Sequence, residues 1–206
     1  MGLFGLFGKK EGKWGEDHIV LAEEFENKGD FLSAIAEYGK VIKKYYSDKE
    51  PKTYKHIMKK IVACYVKLGD YDKIFEMWKF QYEPSEYGPQ EMYELIKILE
   101  AGQRNEQILQ IYEQAGKGLL KNKINFLIKM KKNQEAYEAL GELLSYVSES
   151  TPGIEKFWLM KAKLAMSLAK WTDAKRYLGK IIEKDPRNSD EARKLREMCL
   201  KHAEED

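Results

Sequence analysis

The sequence predicts an all-α fold made of antiparallel helix pairs, and a repeated pattern of apolar residues is the main reason. On both sides of Gly29-Asp30, apolar residues recur at helical spacing, which indicates two short helices joined by a tight turn. Ala34 is small where these two helices must approach each other closely. The pattern recurs clearly around Gly69-Asp70, and three further copies follow. The apolar positions of the first pair are Leu21, Ala22, Phe25, Phe31, Tyr38 and Val41.

The spacing of the turns supports a repeat array. Successive equivalent positions are separated by 40, 34, 28 and 38 residues, with a mean of 35. A single helix pair cannot bury its own apolar face, so such pairs are expected to stack on one another. The third and fourth copies lack the turn glycine, which leaves their boundaries open. The predicted turn positions are Gly29, Gly69, Gln103, Lys131 and Ala169.

This pattern resembles the tetratricopeptide repeat (TPR) family, whose helix-turn-helix unit has about 34 residues. The resemblance covers most of residues 15–186 and implies about five repeats followed by a C-terminal capping helix. The fold it implies is a right-handed superhelical α-solenoid of antiparallel helix pairs. It implies a scaffold or adaptor that binds other proteins, without naming the partner.

Three segments are predicted along the chain. Residues 1–14 form an N-terminal apolar and basic tail, and residues 15–187 hold the repeats. Residues 188–206 form a capping helix and an acidic end, with Leu195, Met198, Cys199 and His202 as its apolar stripe.

Composition and cysteine usage limit the class of protein. An apolar content of 43% is enough for a packed core, and the net charge of +2 favours no polyanionic partner. The two cysteines, Cys64 and Cys199, lie far apart and form no disulfide framework, so a reducing, cytoplasmic location is expected. No apolar run reaches the roughly 18–20 residues that span a bilayer.

The sequence offers little for chemistry, so no enzymatic activity, cofactor or metal is expected. The three histidines, His18, His56 and His202, are widely separated, with no metal-ligand or nucleophile–base spacing. The glycine-rich start, GLFGLFG, lacks the Lys-Ser/Thr of a phosphate-binding loop.

The TPR resemblance places a partner-binding groove on the first helix of each pair. The groove positions it implies are acidic in the first repeat, at Glu23 and Glu26, and largely basic afterwards, which favours an acidic peptide or protein. The pattern differs from that of chaperone-tail binders, because Met160 stands where a second asparagine would be needed. The predicted partner-binding residues are Lys59, Tyr93, Lys97, Lys121, Asn125 and Lys163.

Two alternatives and one question stay open. The N-terminal tail could attach a scaffold peripherally to a membrane, since large apolar residues precede lysines. The lysines between Lys117 and Lys132 could bind RNA, but few arginines or aromatic residues accompany them, which disfavours nucleic acid. The oligomeric state is left undecided. The candidate docking residues of the tail are Leu3, Phe4, Leu6, Phe7 and Trp14.

Overall fold

A computed structural model describes residues 12–47, 51–81 and 89–203. Every regular element in these ranges is a helix, which confirms the all-α prediction for the described chain. A short 3-10 segment, Gly116–Leu119, precedes α7. The helices are α1 (Gly12–Asn27), α2 (Phe31–Ser47), α3 (Pro51–Leu68), α4 (Tyr71–Gln81), α5 (Pro89–Ala101), α6 (Asn105–Ala115), α7 (Leu120–Lys129), α8 (Asn133–Tyr146), α9 (Ile154–Ser167), α10 (Trp171–Lys184) and α11 (Asp190–Ala203).

The five predicted turn positions share one backbone conformation, which confirms that the turns are equivalent. Each has a positive φ, in the left-handed region that residues other than glycine rarely adopt. Each lies between the two helices of a pair. The φ values are 76° at Gly29, 70° at Gly69, 56° at Gln103, 57° at Lys131 and 56° at Ala169.

The turns also share one hydrogen-bond pattern. In the first turn, the N–H of Asp30 donates to the carbonyl oxygen of Phe25 at 2.9 Å, and the N–H of Gly29 donates to that of Glu26 at 3.0 Å. The same two bonds recur at the other four turns. This is the Schellman arrangement, which satisfies the last carbonyl groups of the first helix and ends it. The repeated helix-turn-helix unit is therefore present in the structure as well as in the spacing of the sequence.

Contacts divide the chain into two compact units, Met1–Ile108 and Leu109–Asp206. In the first unit, the described core joins α1, α2 and α3, and Ala34 is fully buried where the first two helices pack. The buried core residues there are Ala22, Ala34, Tyr38, Val41, Ile57, Met58, Ile61 and Cys64.

A close contact in the first unit links α4 to the turn after α5. A Cβ atom on Gly102 would lie 2.4 Å from Cγ of Tyr71, so only glycine fits against this ring. Beside it, Arg104 Nη2 donates to Asp72 Oδ2 at 3.3 Å, and Gln107 Nε2 donates to Asp72 Oδ1 at 2.7 Å. The ring contact and these bonds fix the beginning of α4 against the next turn.

In the second unit, α7 to α11 pack around two apolar clusters. In α11, Ala192 and Cys199 are buried, whereas Met198 is 49% exposed. The apolar stripe of this helix is therefore narrower than the sequence suggested. The fully buried residues around it include Ala162, Ala165, Ala174 and Leu178.

The second unit also buries a lysine. Lys161 is only 3% exposed, and its Nζ donates to the carbonyl oxygen of Tyr137 and lies 3.3 Å from the centre of that ring. The Tyr137 hydroxyl donates to Asp173 Oδ2 at 2.6 Å, so α8, α9 and α10 meet at this tyrosine. A Cβ atom on Gly141 would lie 2.9 Å from Lys161 Nζ, so this glycine makes room for the ammonium. Burial lowers the pKa of Lys161 to about 8.

The turn geometry predicts opposite effects for two glycine-to-alanine changes. Gly69→Ala should lower the free energy of unfolding by about 1 kcal/mol, because alanine is strained at positive φ while its Cβ meets no neighbour within 4 Å. Gly39→Ala, within α2 and equally free of clashes, should raise it by about 0.5–1 kcal/mol. Urea unfolding of both variants measures the difference. Equal effects of the two changes would contradict the turn assignment.

The buried lysine predicts a pH dependence. The pKa of Lys161 lies near 8 in the folded protein and near 10.5 in the unfolded chain, so between these values the unfolded chain binds more protons. Stability should therefore rise with pH from 8 upward. Burial, with the Glu26 hydrogen bond, raises the pKa of Cys64 to about 12, and this opposes the rise above pH 9. The rise in stability that Lys161 causes should therefore be measured between pH 8 and 9.

Replacing the lysine tests this account. Lys161→Met should raise the free energy of unfolding at pH 7 by about 1–2 kcal/mol and remove the rise between pH 8 and 9. Lys156→Met, at an exposed lysine on the same helix, is the matched control and should keep the rise. If both variants keep the rise in stability between pH 8 and 9, a group other than Lys161 causes that rise.

Candidate functional site

A cleft in the first unit, bordered by α3, α4 and α5, is the candidate binding site. Its volume is about 890 Å³. We call it the α3–α5 cleft. Its floor is apolar and its charged residues lie on α3 and α5, the two helices that wall it. The floor consists of Met58, Val62, Ala63, Val66, Ile74, Met77, Trp78, Leu95 and Ile98, and the charged residues are Lys55, Lys59, Lys67, Glu91 and Glu94.

Helical periodicity explains which side chains reach the cleft. On α3, Met58, Val62 and Val66 follow one another at four-residue intervals, so one face of the helix supplies a continuous apolar strip. Ala63 lies beside this strip and is exposed, so its small side chain leaves open space in the cleft.

The aromatic part of the floor is fixed by packing within α4. Trp78 is 5% exposed, and its ring stacks on Phe75 with 5.6 Å between the ring centres. Its buried indole N–H has no acceptor among the described residues. The aromatic part of the floor is therefore packed and apolar, apart from this one donor.

The two walls carry charges of opposite sign. At one end, Lys55 Nζ on α3 lies 3.9 Å from Glu91 Oε1 on α5, so an ion pair connects the walls. The other charged wall residues are Lys59 and Lys67 on α3 and Glu94 on α5, all exposed. None of these three forms an ion pair with another described residue. Away from the Lys55–Glu91 pair, the α3 wall is therefore positive and the α5 wall negative.

The cleft contains only part of the predicted groove of the first unit. Lys59 borders it, but Tyr93 and Lys97 are not among its lining residues. Those two lie on another face of α5, where Lys97 Nζ is 4.5 Å from the centre of the Tyr93 ring. The TPR resemblance predicted that the same face of every first helix contacts the partner. The walls of a cleft between two helices are instead the sides of those helices that face each other.

The missed wall of α5 does have a sequence signal. Glu91, Glu94, Leu95 and Ile98 are spaced at i, i+3, i+4 and i+7, the spacing of one helix face. Taken alone, two acids at one edge of an apolar strip indicate only an amphipathic helix. The position of α3 in the structure shows that this strip borders a cleft.

The other three predicted groove residues belong to the second unit. Lys121 and Asn125 are exposed on α7, and Lys121 Nζ lies 5.9 Å from the centre of the Phe157 ring. Lys163 on α9 is also exposed, and its Nζ lies 2.7 Å from Glu191 Oε1 on α11. This ion pair gives Lys163 a role in attaching the last helix.

The two acids predicted at the start of the groove form ion pairs with a lysine of the first unit. Lys60 Nζ lies 3.4 Å from Glu23 Oε1 and 3.3 Å from Glu26 Oε2. Burial opposes the charge on this lysine, but the two glutamates outweigh it and raise the pKa of Lys60. Cys64 Sγ donates to Glu26 Oε1 at 3.4 Å. These acids therefore join α1 to α3.

The described residues include only one of the predicted docking residues of the N-terminal tail. Of the candidate tail residues, Leu3, Phe4, Leu6 and Phe7 lie outside the described residues, and Trp14 falls within α1. None of the described helices combines the length and the apolar character needed to cross a bilayer. Among the described residues, no three His, Cys, Asp or Glu side chains are grouped so that they could hold a metal ion.

Comparison with known protein families finds no match for the chain, and comparison with curated proteins finds none either. Among solved structures, the chain is similar to the nearly identical TPR-like repeats assigned to a kinesin light chain of Podosopora anserina, with 13% identity and a TM-score of 0.44 over 84% of this chain and 96% of that one.

Two bacterial TPR proteins are also similar, each at 13% identity. For the Parabacteroides merdae protein, the TM-score is 0.41 over 93% of this chain and 74% of that one. For the Thermus thermophilus protein, it is 0.32 over 92% and 98%.

Proposed function

We propose that the protein is a non-enzymatic scaffold or adaptor that binds a partner protein through the α3–α5 cleft. The observation that carries this proposal is the apolar floor between two charged walls. The cleft offers a volume of about 890 Å³ to an inserted segment. An apolar surface within a charged border is also the usual composition of a protein-binding site.

The floor favours apolar side chains as the inserted groups. Ala63 leaves space beside Val62 and Val66, and Met77 can adjust its flexible side chain to different shapes. Burying one leucine-sized side chain there contributes about 1.5–3 kcal/mol. Association itself costs about 4–15 kcal/mol, so two or three such side chains offset much of this cost and contacts with the charged walls must supply the remaining affinity.

Lys59 is the predicted contact residue that borders this cleft. Tyr93 and Lys97 in the first unit, and Lys121, Asn125 and Lys163 in the second, remain proposed contacts outside it.

Filling the cleft tests the proposal. Ala63→Arg places a long side chain in the cleft at an exposed helical position, so the fold should be kept while the apolar partner segment is excluded. Affinity capture from native lysate should recover a partner with the natural sequence and lose it, by at least about tenfold, with the variant.

The matched control is Ala36→Arg, at an exposed alanine of α2 that does not line the cleft. This variant should recover the partner as the natural sequence does. Equal recovery with both variants would show that the partner binds elsewhere, and the proposal would fail.

Membrane attachment is a second candidate function, supported by Leu3, Phe4, Leu6 and Phe7 beside Lys9 and Lys10 in the sequence. Because α1 begins at Gly12, deletion of residues 1–11 leaves this helix whole. If the tail attaches the protein, the deletion should abolish co-sedimentation with vesicles containing anionic lipid. Unchanged co-sedimentation, or none with the full chain, would reject this candidate.

A further inference from the structure

We infer that the α3–α5 cleft binds an amphipathic helix with charges of opposite sign on its two flanks: acids facing α3 and bases facing α5. The inference rests on the proposed function and specifies the partner segment. It differs from the acidic partner that the sequence predicted, since the cleft is basic on one wall only.

The apolar floor favours a helix over an extended segment. Within the described ranges no β-strand offers an edge to which an extended peptide could add. An extended peptide on this floor would leave many of its backbone N–H and C=O groups without partners, at a cost in free energy. A helix satisfies these groups internally and presents only side chains to the floor. The strip on α3 made by Met58, Val62 and Val66 offers the ridged surface against which a second helix packs.

The positions of the charges define the flanks. Lys59 and Lys67 are eight residues apart on α3, or about 12 Å along the helix axis, and both are exposed. Acids about two turns apart on one flank of the bound helix can face both lysines. Across the cleft, Glu94 is the acid that no described residue pairs with, and a lysine or arginine on the opposite flank can face it.

The ion pair between Lys55 and Glu91 shows that side chains of the two walls can meet at one end of the cleft. A bound helix carrying both charges can replace or extend this pairing without leaving a like charge against either wall. An all-acidic helix would face Glu94 and an all-basic helix would face two lysines, and both arrangements are repulsive. The charge pattern therefore also sets the direction in which a given helix binds, because reversing the helix exchanges its flanks.

Designed peptides test the inference with the full-length protein. Three helical peptides of about 18 residues share one leucine strip, and their flanks carry Glu on one side and Lys on the other, Glu on both, or Lys on both. Affinities are measured by fluorescence anisotropy at low and high salt. The mixed peptide should bind at least about fivefold more tightly than either uniform peptide at low salt, and the difference should shrink at high salt.

A charge-reversal variant supplies the matched measurement. The double change Lys59→Glu and Lys67→Glu makes both walls acidic, so the all-lysine peptide should now bind most tightly. Lys43→Glu with Lys79→Glu makes the same change in net charge at exposed lysines of the same unit that do not line the cleft, and it should leave the ranking unchanged.

The outcomes separate this inference from the proposed function. Tightest binding of the mixed peptide, lost with Ala63→Arg, supports both. If the all-glutamate peptide binds as tightly as the mixed one and Ala63→Arg abolishes both interactions, the inference is overturned and the cleft remains the binding site. If no peptide binds, the inference is overturned, and the lysate capture with Ala63→Arg decides the proposed function independently.

Discussion

The structure depends on one backbone constraint, a single residue in the left-handed conformation between the two helices of each pair. At each of the five turns this residue lets two N–H groups return to carbonyl oxygens near the end of the first helix. The first helix therefore ends, and the chain reverses within a few residues. Small side chains such as Ala34 and Ala174, both fully buried, then allow the second helix to pack against the first.

The candidate site follows from how the second and third pairs meet in the first unit. The ring of Tyr71 rests on Gly102, and Asp72 receives hydrogen bonds from Arg104 and Gln107, so the beginning of α4 is fixed to the next turn. Farther along, α3 and α5 face each other across Trp78 without filling the space between them. The contact at the turn and the open apolar cleft beyond it give a preformed surface, which lowers the ordering cost of binding.

The turns could be predicted from the sequence, although not equally well. Gly29 and Gly69 are clear turn signals, because each is a glycine followed by an aspartate. In both turns the aspartate side chain accepts a backbone N–H of the second helix at 3.2 Å. Gln103, Lys131 and Ala169 carry no such signal, and only the repeat spacing locates them.

The cleft could not be predicted from the sequence, because it depends on which sides of α3 and α5 face each other. The periodicity of one helix does not contain that information. Lys161 is a similar case, because a lysine among charged helices is expected at the surface, whereas the gap left by Gly141 buries it.

Hydrogen–deuterium exchange of the full-length protein, measured with and without its captured partner, shows directly whether the partner binds in the α3–α5 cleft. Partner binding should slow backbone exchange in residues 54–67 of α3 and 91–98 of α5, because a bound segment covers both walls. Exchange in α11, which the cleft does not include, should be unchanged. Unaltered exchange in α3 and α5, with protection confined to other helices, would place the binding surface elsewhere and rule out binding in the cleft.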